Sequence, residues 1–354
     1  MFFPEEYRAL ADDELEVRIR RVKGSLGRRL LILGHYYQQD AVIKCADVTG
    51  DSYALAKAGA AARDAEYIVF CGVRFMAETA DLLSAPAQRV YMPDPDAGCP
   101  LADLADLEQV ERAWRMLEQI GVARDVMPVT YINSSMELKA FCGRQGGTVC
   151  TSSSAGEAFD WALKQRSKIF FFPDENLGRV SAYAKGFNDG DMVVWDATER
   201  DGGVDPDRLK NARIILWNGY CHVHTFFTVS HVEAARAKYP GCLVAVHPEC
   251  NPSVVSAADM NGSTSMLIDY VERAPQGSTV VVGTEINLVS RLATMFADKK
   301  VVPLARSLCP NMFKTSLRDL CYTLEHFPED RRIAVPDYLR ADAHLALERM
   351  LKLK

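Results

Sequence analysis

RVYMPDPDAGC (89–99), RIILWNGYC (213–221) and KVVPLARSLC (300–309) are three distant stretches that end alike. In each, a β-branched or aliphatic run reads as a short buried strand that breaks into a loop carrying a cysteine. Three thiols placed this way meet at one point only if the chain repeats a structural unit three times. Working backward from each cysteine gives the same landmarks in the same order. The units open with RLLILGHYYQQ (29–39), VMPVTYINSS (126–135) and CLVAVHPECN (242–251), apolar runs that break at His35 and Tyr37, Tyr131 and Asn133, and His247 and Glu249. Ser/Thr-rich openings of helical patterns follow: GDSYALAKAGAAA (50–62), CTSSSAGEAFDWALK (150–164) and NGSTSMLIDYVERA (261–274), where hydroxyls suit N-caps. A third apolar run comes next: YIVFCGVRFMAE (67–78), IFFFPDENLGRV (169–180) and TVVVGTEINLVSRL (279–292). The cysteine strand completes each unit. The second unit is longest, and the excess fits an insertion around FNDGDMVVWDATERDGGVDPD (187–207).

Alternating strands and amphipathic helices imply an α/β protein built of βαβ units with parallel sheets. We expect three α/β/α domains related by pseudo-threefold symmetry around a central cleft, each with a small parallel sheet. They span 20–105, 106–225 (with the insertion) and 226–310, and a C-terminal helical extension covers 311–354. Ligands bind beyond the carboxyl ends of such strands, where the polar pairs and the three cysteines lie.

The chain has 354 residues, enough for two or three cores. A net charge of −6 argues against nucleic acid as the main partner. No apolar run reaches membrane-spanning length. The N-terminal stretch is acidic and lacks a signal-peptide pattern. Ten cysteines without tight clustering read as cytosolic thiols, so a cytoplasmic enzyme is expected. Cys71 and Cys242 lie inside apolar runs as fillers. Cys45, Cys142, Cys150 and Cys321 fit the same description, and Cys250 stands nearer the proposed cleft. Cys99, Cys221 and Cys309 differ because each stands beside Pro or Gly in a loop. Three thiolates suit a soft metal, and spacing alone leaves both zinc and an iron–sulfur cluster open. In a cluster, three cysteines would leave one iron free as a Lewis acid.

Taken together, ILGHYYQ, GDSYALA, FCGVRFMAETADLL, PDAGCPLAD, YINSS, VCTSS, WNGYCHVH, HPEC, GSTSM, GTE and LCPNM resemble the quinolinate synthase family from about Leu31 to Lys314. The resemblance implies a transferase of NAD biosynthesis. It condenses iminoaspartate with dihydroxyacetone phosphate to quinolinate and releases phosphate and two waters. It also implies a [4Fe–4S] cluster on Cys99, Cys221 and Cys309. Ser52, Ser152, Ser263 and Thr264 match the family's anion-binding positions, and helix N-termini suit a phosphate and carboxylates. His35, Tyr37, His247 and Glu249 are acid–base groups at strand ends. Tyr131 takes part in catalysis and, with Asn133, orients a carboxylate or substrate oxygen. His224 matches a family histidine that contacts substrate. His222, His231, His326 and His344 read as surface or packing residues. L-aspartate oxidase is the upstream enzyme that the resemblance implies.

Two departures from the family pattern stand out. Ser154 replaces a common Asn, and Met312, Phe313 and Lys314 stand where Met-Lys-Met is usual. Another iron–sulfur hydro-lyase acting on a hydroxy acid is the first alternative. A non-enzymatic iron–sulfur redox sensor is the second, but no basic or DNA-binding module accompanies it. No strand is followed by GxGxxG, which disfavours a dinucleotide-binding dehydrogenase.

Overall fold

The computed structural model describes residues 4–353. Fourteen strands are found among them: β1 Leu30–His35, β2 Val48–Gly50, β3 Tyr67–Cys71, β4 Arg89–Tyr91, β5 Val126–Tyr131, β6 Thr148–Cys150 and β7 Lys168–Phe172. Then come β8 Met192–Trp195, β9 Ile214–Trp217, β10 Leu243–Val246, β11 Met260–Asn261, β12 Thr279–Gly283, β13 Lys300–Pro303 and β14 Arg332–Ile333. They form three sheets in the orders β14-β4-β3-β1-β2, β6-β5-β7-β9-β8 and β11-β10-β12-β13. The α/β architecture expected from the sequence is therefore present, with three small and mostly parallel sheets. Each sheet contains the same core order, in which the second strand of the set flanks the first, followed by the third and fourth. Those pairings are all parallel. The central strands are buried along nearly their whole length, as parallel sheets covered on both faces require.

The chain divides into two compact units. One comprises the described residues up to Cys99 together with Leu308–Pro336 and contains the first sheet. Its core joins Ile32, Val69 and Tyr91 of the sheet to Leu15 and Ile19 of the helix Asp12–Leu26 and to Leu320 and Leu324 of the helix Leu317–His326. Arg331, 1% exposed, lies in this unit. Its guanidinium donates to the Pro93 carbonyl, to the Asp319 carbonyl (2.9 Å) and to Thr323 Oγ1 (2.9 Å), and it sits over the Tyr322 ring.

The second unit comprises Pro100–Ser307 and the described residues from Asp337 onward, with the other two sheets. The helix Asp337–Lys352 packs on the helix Met136–Arg144. Gly143 permits that approach, because a Cβ there would lie 1.8 Å from the Asp342 carbonyl oxygen.

Two strands depart from the sequence reading. The insertion, to which the sequence reading assigned no element, supplies β8, an edge strand parallel to β9. The segment 311–354 is not all helix. Between its two long helices it supplies β14, antiparallel to β4 and locked by the Met92 N–H to the Arg331 carbonyl at 2.9 Å.

Candidate active site

In the second unit, the carboxyl ends of strands from two sheets bring a buried polar cluster together. Tyr131 ends β5, and Glu249 and His247 follow β10. His224 lies in the short helix His222–Thr225 that begins just after Cys221. The Tyr131 hydroxyl donates to Glu249 Oε1 at 2.5 Å. His224 Nδ1 lies 2.9 Å from Glu249 Oε2, and its Nε2 lies 3.2 Å from Thr284 Oγ1. The His224 and His247 rings stack with centroids 4.2 Å apart. All four site side chains are at most 5% exposed.

The Glu249 backbone N–H donates to His247 Nδ1 at 3.4 Å, which puts the proton of a neutral His247 ring on Nε2. Burial by itself pushes the Glu249 carboxyl up. The His247 and His224 imidazoles and the bonds from His224 and Tyr131 overcome it and bring the pKa down to about 2. Glu249 is therefore a carboxylate held inside the protein by its partners.

Sequence reasoning missed two residues of this cluster. Thr284 follows β12 and brackets His224 from the side opposite Glu249. Asp174, 0% exposed, stands two residues beyond β7 and caps the helix Glu175–Ala184 by accepting the Leu177 N–H at 2.7 Å. Its Oδ2 has no partner among the described residues. Burial, reinforced by the nearby Glu249 charge, pushes the Asp174 carboxyl well above the usual range. The signal that marks Asp174 lies in the repeat. Asp174 and Glu285 each stand two residues beyond the third strand of their units, and each is a buried acid at a helix N-cap. Thr284 has Pro173 as its counterpart, so the repeat does not mark it.

The other expected residues of this unit line the same strand ends. Asn133 is half-buried beyond β5, where the Ile132 N–H donates to the Cys150 carbonyl at 2.8 Å and sets the Ser152 turn alongside. Ser152 itself does not cap the following helix. Ser154 holds the N-cap position of Ala155–Gln165, and its Oγ instead accepts the Thr151 N–H at 3.0 Å. Ser263 is fully buried and caps the helix Thr264–Arg273, and Thr264, 3% exposed, is its first residue.

In the first unit, His35 ends β1 and is buried with Tyr37. The Tyr37 N–H donates to His35 Nδ1 at 3.2 Å, and the rings meet edge to face at 4.8 Å. This is the geometry of His247 and Glu249 repeated. The Tyr36 N–H donates to the Gly50 carbonyl, which brings the Ser52 turn beside His35. Ser52 begins the helix Ser52–Ala61, but Asp51 caps it by accepting the Ala54 N–H at 2.9 Å.

Cys99, Cys221 and Cys309 follow β4, β9 and β13, the fourth strands of their sets, and are half-buried. The other seven cysteines are buried. Burial pushes their thiols up, Cys321 to about 12 and Cys71, Cys142 and Cys250 further, which suits inert fillers. Within the first unit, Lys314 Nζ donates to the Asp96 carbonyl in the Cys99 loop at 2.7 Å. Gln39 Nε2 donates to the Phe313 and Thr315 carbonyls beyond Cys309. In the second unit, the Glu175 N–H donates to the Gly219 carbonyl at 2.8 Å and anchors the Cys221 loop. A Cβ on Gly219 would lie 2.1 Å from the Pro173 carbonyl oxygen, so this loop requires glycine. Cys221 Sγ, a His224 ring nitrogen and a Glu249 carboxylate oxygen lie within 4.8 Å of one another. No helix among the described residues is long and apolar enough to cross a membrane.

A family profile described as Quinolinate synthetase A protein matches residues 17–352. A quinolinate synthase of Nocardioides sp. is 48% identical, covering 97% of this chain and 90% of the relative. One from Acidobacterium capsulatum is 46% identical over 99% and 96%, and one from Streptomyces coelicolor 47% over 97% and 89%. The chain belongs to the quinolinate synthase family.

Proposed function

We propose that the chain condenses iminoaspartate with dihydroxyacetone phosphate to give quinolinate, phosphate and two waters, in NAD biosynthesis. The observation that carries this reading is the buried Glu249 carboxylate held by Tyr131 and His224. Condensation and dehydration move protons at several atoms, and a carboxylate aligned by two partners accepts or returns them without reorienting. Tyr37, fixed against His35, supplies a second hydroxyl for proton transfer. Tyr131 and Asn133 orient a substrate carboxylate, and His224 and His247 contact substrate from the Glu249 side. Ser52, Ser152, Ser263 and Thr264 bind the phosphate and carboxylates with hydroxyls and helix N-terminal N–H groups.

Cys99, Cys221 and Cys309 fit a [4Fe–4S] cluster, because they are the three half-buried thiols, one per strand set, among otherwise buried cysteines. When bound, the cluster would supply a Lewis-acidic iron that polarises a departing hydroxyl. Three domains at 20–105, 106–225 and 226–310, with the extension 311–354, are the units we assign to this architecture. We place the reaction in the cytoplasm. L-aspartate oxidase is the functional source of the labile imine.

An anaerobic assay tests the reading. The protein is given dihydroxyacetone phosphate and freshly generated iminoaspartate, and quinolinate is followed by mass spectrometry. Product that disappears in Cys221→Ala supports it. Glu249→Gln is expected to keep the visible spectrum and lose 10²- to 10⁴-fold in turnover, the usual weight of a general acid–base group (about that range). Absence of product from protein with full iron and sulfide would overturn the reading and favour a hydro-lyase acting on a hydroxy acid.

A further inference from the structure

We propose that the chain, when it carries no cluster, binds a single thiophilic divalent cation on Cys221, His224 and Glu249. The site uses one of the three cluster thiols and neither of the others, so it goes beyond the function proposed above. The donor set is one sulfur, one nitrogen and one oxygen, all within 4.8 Å. Such a set suits zinc, cobalt or ferrous iron, with a fourth position left to water. Metal–ligand bonds of about 2.0–2.3 Å place tetrahedral donors roughly 3.3–3.6 Å apart. The His224 nitrogen and the Glu249 oxygen are already 2.9 Å apart. Closing the set therefore asks for side-chain movements of at most about 1 Å, with the His224 nitrogen and Glu249 oxygen parting by a few tenths of an ångström.

The backbone holds two of the ligands together. The His224 and Thr225 N–H groups both donate to the Cys221 carbonyl, at 3.1 and 3.0 Å, so thiol and imidazole rise from one helical turn. Each of the other two ligands also has an outer partner. Thr284 Oγ1 meets the far nitrogen of His224, and the Tyr131 hydroxyl holds the far oxygen of Glu249. Outer partners of this kind orient imidazole and carboxylate toward a metal. Occupancy of Cys221 by the ion blocks assembly of a three-thiol centre, so zinc acts on the cluster-free protein as an inhibitor of reconstitution.

The test is a cobalt(II) titration of the full chain stripped anaerobically of iron, with a competing chelator, reading the sulfur-to-cobalt charge-transfer band. One equivalent is expected to bind. Cys221→Ser should abolish the band, and His224→Gln and Glu249→Gln should each weaken affinity at least tenfold. Cys99→Ser and Cys309→Ser should change neither band nor affinity by more than twofold. Thr284→Val should lose about 10- to 100-fold and Thr284→Ser should restore it, which a purely structural role for Thr284 would not produce in the cobalt signal. Circular dichroism of each stripped variant checks that the fold persists, and the Thr284 pair carries the test if a ligand variant unfolds.

A band that survives Cys221→Ser, or that vanishes in Cys99→Ser or Cys309→Ser, would overturn the proposal. So would wild-type affinity in His224→Gln and Glu249→Gln. Failure of the cluster reading has a separate signature, in which Cys99→Ser and Cys309→Ser retain full iron and sulfide after reconstitution.

Discussion

Gly219→Ala tests whether the backbone around Cys221 is as tightly constrained as its geometry indicates. The added Cβ would sit 2.1 Å from the Pro173 carbonyl oxygen, 3.3 Å from the Pro173 carbonyl carbon and 3.4 Å from the Trp217 ring. A carbon approaches a carbonyl oxygen no closer than about 3.3 Å in ordinary packing, so the two backbones must part by about 1 Å. The Pro173 side is anchored. It follows directly on β7, and the next residue, Asp174, caps a helix at 2.7 Å. The Cys221 loop therefore moves, stretching the 2.8 Å bond from Glu175 to Gly219 and carrying the thiol, and His224 with it, out of register with Glu249. A misplacement of about 1 Å costs roughly 100-fold in rate.

The assay is iron and acid-labile sulfide per chain, with anaerobic kcat/KM on the same preparation. Both should fall, the second by about 100-fold. Gly156→Ala is the matched control, because its Cβ meets only the end of the Lys185 side chain at 3.8 Å. Wild-type iron and turnover in Gly219→Ala would refute the steric argument. An equal loss in Gly156→Ala would refute it as well.

Three further outcomes are expected. Asp174→Asn keeps the helix cap and removes a carboxyl whose folded-state pKa is raised, a group that costs stability as pH rises above its unfolded value near 4. Its melting temperature should exceed wild type at pH 8 and lose that advantage at pH 4; an unchanged difference between the two pH values would contradict the assignment. Glu249 runs the other way. Its depressed pKa gives stability that is present above about pH 4.5 and lost as pH falls toward 2, worth roughly 3 kcal/mol, so acid unfolding of Glu249→Gln should be less steep in that window. Arg331→Met strips the Pro93, Asp319 and Thr323 oxygens of their buried donor, and a loss of about 3–5 kcal/mol is expected in thermal melts. Arg331→Lys should recover only part of it, because an ammonium lacks the planar fork.

Much of this arrangement was legible from the chain because its signals recur. A thiol after each fourth strand, or a polar residue at the end of each first strand, carries little weight once and much more three times. His35 and His247 even make the same bond, each accepting the N–H two residues on. What escaped were features without a period. β8 is four residues between Asp- and Gly-rich turns, and β14 is two residues whose partner, β4, lies far back in the sequence. The helix openings were read from their hydroxyls, yet Asp51 and Ser154, not Ser52 and Ser152, hold the N-cap positions. Several cap-competent residues stand in a row there, and composition does not choose among them. Asp174 and Thr284 escaped for another reason. Each sits in a motif that reads as a turn, and only the folded chain reveals that Thr284 Oγ1 faces His224 and that the Asp174 carboxyl lies near Glu249.

The shared strand order has a consequence for how such a chain changes over time. In a symmetric oligomer of identical modules, every substitution appears in all copies at once, and each interface must tolerate it. Here the copies are written in tandem on one chain and drift separately. Among the described residues, only the second contains β8 and only the first is flanked by β14, and the first-strand ends carry His–Tyr, Tyr–Asn and His–Glu pairs. Independent copies can each take a different set of polar residues at the same strand end, which identical copies cannot.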